Sequence, residues 1–413
     1  MKTPAARVLM LVENHYPEDR RVRNEATLLT SNGYEVTVIA LQKRGQPAID
    51  MVDGVRVYRL PRLEVFTKTS PNAVGRLQRL ALKIKSAVGY ITEYAYFTTG
   101  CFLLASVALV RHGFDVIHAH NPPDTLFLVA LPFKTLGKKF VFDHHDLSPE
   151  LYRSRYGTGD DILARLLRIL EWCSLRLADI TIATNDSYRS AQLSRANKDA
   201  SSVFVVRNGP DLDRMRPSAP SPRLRAMGKS ILCYIGSLNP QDGVDYLLRS
   251  LHYLLRTLKR DDFYCVIMGT GDSLEDLRRL ADELALTGHV ELPGFVSEAD
   301  LGTNLAAADI CVDPDPSSPL NDVSTWIKIM EYMACAKPIV AFELKETKVS
   351  ASDAALFVTP NDESAFAEAI VRLMDDPRLR ERMGVFGRQR VENELQWSVV
   401  GANLLHAYHS VTR

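Results

Sequence analysis

The chain has 413 residues, 46% of them hydrophobic, and its 50 lysines and arginines are balanced by 50 aspartates and glutamates. That is too long for one ordinary core and too apolar for disorder, so two domains are expected. A formal net charge of zero leaves no global field to recruit nucleic acid, and six scattered cysteines without Cys-x-x-Cys spacing argue against a zinc site or a disulfide framework and fit a reducing cytosol.

From the N-terminus, Met1 to Arg7 lead straight into a strand-like run at 8–12. This run is too short for a secretory signal, so export is not expected. Thereafter β-branched runs alternate with amphipathic stretches, the pattern of a doubly wound parallel sheet, and the pattern occurs twice. Strands are predicted at 8–12, 35–40, 55–60, 116–120, 139–143, 180–184 and 203–206, then at 231–235, 264–268, 290–292, 310–312, 338–342 and 355–358. The fold class is therefore α/β, with two Rossmann-like doubly wound domains whose strand ends would face a central cleft. Between the halves, Arg207-Asn208-Gly209-Pro210 and the proline-rich 217–222 read as a linker. This divides the chain into 1–206, 207–222, 223–390 and a terminal segment 391–413.

Within the first half, Arg76, Arg79, Lys83 and Lys85 fall among leucines and isoleucines with no acid until Glu93. Residues 76–92 thus form a basic amphipathic stretch suited to an anionic membrane surface or to a solvated helix face. The uncharged run 95–110 that follows is shorter than the ~20 residues of a spanning helix and reads as a buried helix. Asp143-His144-His145-Asp146 has metal-ligand residue types, but adjacent strand residues point to opposite faces and no partner cluster is evident. Asp313-Pro314-Asp315 reads as a rigid loop.

Near the end of the second half, Lys328 and Glu331 stand three residues apart on a helix expected to be capped by Ser324 or Asp322, ahead of the buried strand 338–342. A helix N-terminus carrying Lys328 on its first turns suits a phosphate, and Glu331 could accept hydrogen bonds from ribose hydroxyls. An ordinary surface ion pair is the bland reading of the same spacing.

Nearly the whole chain resembles the retaining glycosyltransferases of family four with the GT-B architecture. The likeness rests on an ordered set: Asp115 to His120, Arg207-Asn208-Gly209 with Asp211, Ile235 to Gly243, Met268-Gly269-Thr270-Gly271-Asp272, Gly294-Phe295-Val296, Ala308 to Pro314, and the Lys-x-x-Glu-Tyr motif at Lys328 to Tyr332. Common members carry arginine and lysine in the phosphate loop, where this chain has Ser237 and Asp242, and a glutamate eight residues before Glu331, where it has Val323. The glycine-rich loop after the first strand is replaced by 13–21.

This resemblance implies an acceptor-side first domain, a nucleotide-sugar donor domain at 223–390, and a terminal helix at 391–413 crossing back to the first domain. It implies donor contacts at Gly236, Ser237, Gly243, Gly269, Gly294, Phe295, Asn321, Asp322, Lys328 and Glu331, with His120 beside the reacting sugar and His118 its competitor on the same face. Lys328 would balance the departing diphosphate without a metal, and no cofactor is expected. Asn14, Arg21, His145 and Asp146 are the acceptor-side candidates. The implied reaction is transfer from a UDP-sugar, or a GDP-sugar, to a glycan or lipid-linked acceptor at the cytoplasmic membrane face, in bacterial cell-surface polysaccharide assembly. A nucleotide-sugar epimerase or hydrolase and a non-catalytic sugar-nucleotide-binding scaffold are the alternatives.

Overall fold

The computed structural model describes residues 4–63, 76–156, 161–210, 212, 214, 215 and 217–412, with side chains of 76–87, 155 and 156 outside the description. Chain contacts divide it into two units, Met1–Asn208 with Val400–Arg413 (unit 1) and Gly209–Val399 (unit 2).

Unit 1 is built on strands β1 (Arg7–His15), β2 (Glu35–Gln42), β3 (Ile49–Val52), β4 (Val55–Pro61), β5 (Val116–His120), β6 (Lys139–His144), β7 (Ile180–Ala183) and β8 (Val203–Val205). Their order is β3-β4-β2-β1-β5-β6-β7-β8, parallel except for β3, which pairs antiparallel with β4. Strand β3 went unpredicted because it is a four-residue edge strand whose Ile49 and Met51 are exposed, leaving no buried alternation to read. Helix α1 (Arg20–Ser31), capped by Asp19, buries Val22, Glu25, Ala26 and Leu29 at helical spacing.

Helix α2 runs unbroken from Arg76 to Arg111, joining the predicted basic and uncharged segments into one element. Its basic side chains Arg76, Arg79, Lys83 and Lys85 lie outside the described residues. The expectation of a buried helix at 95–110 is corrected. Phe97, Cys101, Ala105 and Ala108 pack into the sheet core, but only 22% of the most apolar window is buried, and Leu103, Val107 and Val110 face outward. The helix is long and apolar enough to cross a membrane, yet one face is fixed to the sheet core beside Leu9, Leu11 and Ile117. Helices α3 (Phe127–Lys134), α4 (Ser148–Tyr156) and α5 (Ile162–Leu177) complete this side of the unit.

Unit 2 contains β9 (Ser230–Ile235), β10 (Phe263–Met268), β11 (Val290–Gly294), β12 (Ile310–Asp313), β13 (Ile339–Phe342) and β14 (Ala355–Val358), ordered β11-β10-β9-β12-β13-β14 and parallel throughout. Two apolar layers cover this sheet. One gathers the helix Val244–Arg256 and Phe366, and the other gathers the helix Ile327–Ala334 and Leu305.

The boundary between the units falls inside the segment 207–222, whose second part packs on unit 2. Met215 joins the core, Ser221 N donates to Thr303 O, and a Cβ on Gly209 would lie 2.4 Å from Leu395 O. Asp211, Asp213 and Arg216 lie outside the described residues. At the other end, the helix Ala402–Thr412 belongs to unit 1, where Tyr408 packs edge-on against Tyr34.

Candidate active site

Ligands of open α/β sheets bind outside the carboxyl ends of the strands, where the strand order reverses. In unit 2 that edge is formed by the ends of β9, β10 and β12, and the predicted glycines meet there. Gly236 N donates to Met268 O, and Gly269 N donates to Gly294 O at 3.0 Å. A Cβ on Gly269 would stand 1.8 Å from Gly236 O, so only glycine permits this approach. Beyond it, Asn239 and Asp242 cap each other around a short turn, after which Gly243 takes the left-handed conformation and opens the helix Val244–Arg256. Asp242 is thus a buried capping residue, Ser237 is exposed, and Phe295 stands 83% exposed on the loop after β11.

The lysine of the motif is set differently from the expectation. The helix begins at Ile327, its N-cap is Trp326 without a side-chain cap, and Ser324 Oγ instead donates to Leu320 O. The assignment of Ser324 or Asp322 as cap is therefore corrected: Asp322 lies within a 3₁₀ turn at Asn321–Val323 and Ser324 ends that turn, two residues before the N-cap.

Lys328 Nζ is buried, 2.9 Å from Asp313 and 2.8 Å from Asp315, over the rings of Tyr234 and Trp326. Burial opposes its charge, but the two carboxylates outweigh that and raise its pKa well above the ordinary lysine value. Burial, and then the Asp313 neighbour, push the Asp315 carboxyl far above the usual range against the pull of Lys328. The loop Asp313-Pro314-Asp315 thus encloses the lysine, which the sequence reading did not foresee. Glu331 is held by Arg214 at 3.0 Å, and Arg214 also reaches Glu298. Tyr332, the last residue of the motif, receives the Ile235 N–H and donates to Val312 O, tying the ends of β9 and β12 together. Asn321 is fully buried and spends its amide on the carbonyls of Gln241 and Pro316, while Asp322 accepts from Ser317 Oγ.

In unit 1 the candidates gather at the ends of β1, β5 and β6. Asn14 and Arg21 both bind Asp19, at 2.9 and 3.1 Å. Strand β5 is buried at every position, so His118 and His120, on the same face with ring centroids 4.2 Å apart, must find partners inside the protein. They find Asp143, whose Oδ2 lies 3.5 Å from His118, 3.3 Å from His120 and 3.0 Å from His145, while Glu25 Oε2 is 3.9 Å from both His118 and His120. His120 Nδ1 lies 3.2 Å from His145 Nε2, and Tyr408 lies 2.9 Å from His118. His144 points the other way, to Glu171 at 3.2 Å. Asn121 receives the backbone N–H groups of His145 and Asp146 and so fixes their loop.

Electrostatics sorts this cluster. Burial holds His120 below its ordinary pKa and, with the His120 charge, holds His118 down to about 4, so both imidazoles are neutral near pH 7. Burial and the Asp143 charge push Glu25 up. Burial would push Asp143 up as well, but His145, His118 and His120 hold it well below the carboxylate range.

One ligand atom each from Glu25, His118, His120 and Asp143 lies within 4.8 Å of the others, so the four could hold a cation. This corrects the expectation that the Asp143 to Asp146 segment lacks a partner cluster. The contacts between Asp143 and three imidazoles account for the same geometry without an ion. His120 is also only 2% exposed, a side chain inside a network. Glu25 was the missed member. Its signal was a carboxylate inside the apolar stripe Val22, Ala26 and Leu29.

The halves of the chain match two family models, "Glycosyltransferase Family 4" over residues 19–214 and "Glycosyl transferases group 1" over residues 229–376. A GDP-mannose-dependent monoacylated alpha-(1-6)-phosphatidylinositol monomannoside mannosyltransferase of Corynebacterium glutamicum is 28% identical over 218 residues, 50% of this chain and 56% of that protein, so the match spans little more than half its length. A D-inositol 3-phosphate glycosyltransferase of Kineococcus radiotolerans is 24% identical over 412 residues, covering 93% of this chain and 88% of the relative. Among solved structures, sucrose-phosphate synthase from Thermosynechococcus elongatus superposes with a TM-score of 0.71 at 18% identity, covering 98% of each chain, which shows the GT-B fold. The chain is thus similar to glycosyltransferases along most of its length, to family four over 19–214 and to group 1 over 229–376.

Proposed function

We propose that this protein transfers a sugar from a nucleoside diphosphate donor to a glycan or lipid-linked acceptor, with retention and without a metal, at the cytoplasmic face of a membrane in bacterial cell-surface polysaccharide assembly. The observation that carries this reading is the strand-end ladder of Gly236, Gly269 and Gly294 beside the Lys328 cage and Glu331. Lys328 reaches it through Tyr234, whose ring lies 4.9 Å below the ammonium and whose hydroxyl donates to Ser237 O.

In this reading the exposed Gly236–Ser237 backbone and the helix opening at Val244 meet the diphosphate. Lys328 supplies the positive field as the anomeric bond breaks. Phe295 offers a ring to the base, and Glu331 exchanges part of its Arg214 contact for ribose hydroxyls. On the acceptor side, Arg21 and Asp146 present charge, with His145 and His120 behind them. A UDP-sugar is the first donor to test, and a GDP-sugar the second, on the name of the Corynebacterium relative.

The test is incubation of the protein with UDP- and GDP-sugars, with and without alkyl-linked acceptors, followed by mass spectrometry. Nucleotide release coupled to a sugar-bearing acceptor, lost in Glu331→Ala, is the expected result. A sugar changed without an acceptor would establish the epimerase or hydrolase reading. Nucleotide binding without turnover would establish the scaffold.

A further inference from the structure

Unit 1 contains a cavity of about 500 Å³ whose lining, among the described residues, carries no charged side chain. One wall is α2, with Ile91, Ala95 and Thr99 spaced four residues apart. The other is α5, with Leu163, Leu166 and Leu170 at helical spacing. Its volume is that of a small-molecule site, and its exposed lining is mainly apolar, with hydroxyls as the polar groups among the described residues. Seven of the lining side chains carry hydroxyls; Thr98 and Thr125 satisfy each other at 2.7 Å, and Tyr152 donates to Asp161.

Two features say what fits. First, Pro122 and Ser148 line the cavity and flank the candidate site. Pro122 follows Asn121, Ser148 stands two residues after Asp146, and Asn121 binds the backbone of both His145 and Asp146. A ligand inside the cavity would therefore have its polar end at the strand-end loops. Second, the rim is apolar on the outside. Helices α2, α3 and α5 pack through one shared core, so their outer faces look away from the sheet on the same side. On those faces stand Leu103, Val110, Leu131, Ile162, Ile169 and Trp172, with Val110 and Ile162 more than 85% exposed. Scattered exposed leucines need no explanation, but a three-helix apolar face does.

We infer that this cavity takes the hydrocarbon chain of a lipid-linked acceptor, which enters from a bilayer lying against the α2–α3–α5 face. The inference rests on the transferase reading and narrows its acceptor to a lipid. Helix α2 does not cross the bilayer in this arrangement, because Phe97, Cys101 and Ala105 are committed to the sheet core.

The probe is a phosphatidylglycerol with a photoactivatable diazirine near the end of one acyl chain, carried in phosphatidylethanolamine–phosphatidylglycerol vesicles and irradiated with the full-length protein. Crosslinks should map to residues 90–99 and 163–170. They should fall at least tenfold in Ala95→Trp, and in Leu167→Trp from the opposite wall should one variant misfold, while vesicle flotation persists. Ile162→Glu with Leu166→Glu should lose flotation at least tenfold. Val385→Glu, an exposed valine of unit 2, should change nothing. Crosslinks that avoid the cavity peptides, or that survive both filling variants, would overturn the inference. UDP and GDP titration of the same samples separates the two claims. Nucleotide binding without lipid capture sinks the cavity assignment alone, and lipid capture without nucleotide binding sinks the transferase reading alone.

Discussion

Lys328 and Asp315 lie 2.8 Å apart with both side chains buried, one on the first turn of a helix and the other on the loop after β12. A buried ammonium stripped of its partners is costly, and so are carboxyls stripped of their cation. Lys328→Met should therefore destabilise unit 2 by about 3–5 kcal/mol. Asp315→Asn should cost under about 1 kcal/mol, because the Asp315 carboxyl is already pushed toward its neutral form. Urea unfolding of the two variants checks this, and equal losses would contradict the assignment.

Tyr332 should matter through its hydroxyl alone. Tyr332→Phe keeps the ring but removes the acceptor of Ile235 N–H and the donor to Val312 O. A loss of about 1–3 kcal/mol is expected from the unpaired backbone groups. A variant as stable as the parent would show that those groups find other partners.

The glycine ladder makes a paired prediction. Gly269→Ala puts a Cβ into Gly236 O and should leave unit 2 unable to fold in its present form, seen as lost soluble protein or a collapsed melting transition. Gly288→Ala, at φ +85 but with open space around it, should cost only on the order of 1 kcal/mol of backbone strain.

The histidine cluster predicts a pH dependence with a definite sign. His118 has a pKa of about 4 when folded, below the ordinary value of 6.5, so the unfolded chain binds more protons between those values. Its contribution therefore rises with pH through that window and is lost as pH falls from 6.5 to 4, by about 3 kcal/mol. Glu25 and His144 titrate as well, in directions of their own, so the measurement is a difference. Between pH 7 and pH 4 the stability of the parent should fall by about 3 kcal/mol relative to His118→Gln. A constant gap would mean that His118 is not held neutral.

Apart from β3, the strands were legible because they are short apolar runs bounded by turn residues, and the glycines at 236, 269 and 294 stand at the ends of those runs. The partners of the charged residues were not. Asp313 and Asp315 stand 15 and 13 positions before Lys328, and Arg214 is 117 positions from Glu331, so no local period connects them. Glu25 was hidden for the opposite reason, since it occupies a core position of an ordinary amphipathic helix. The segment 95–110 misled because composition registers how apolar a helix is and not which face the sheet takes.

The most direct test of the central claim is calorimetric titration of the purified protein with UDP and GDP, with magnesium and with a chelator, alongside Glu331→Ala. Binding of one nucleoside diphosphate that is unchanged by the chelator and at least tenfold weaker in Glu331→Ala is the predicted result. Absence of binding to both in a folded sample, or binding that Glu331→Ala leaves intact, would contradict the donor site described for unit 2.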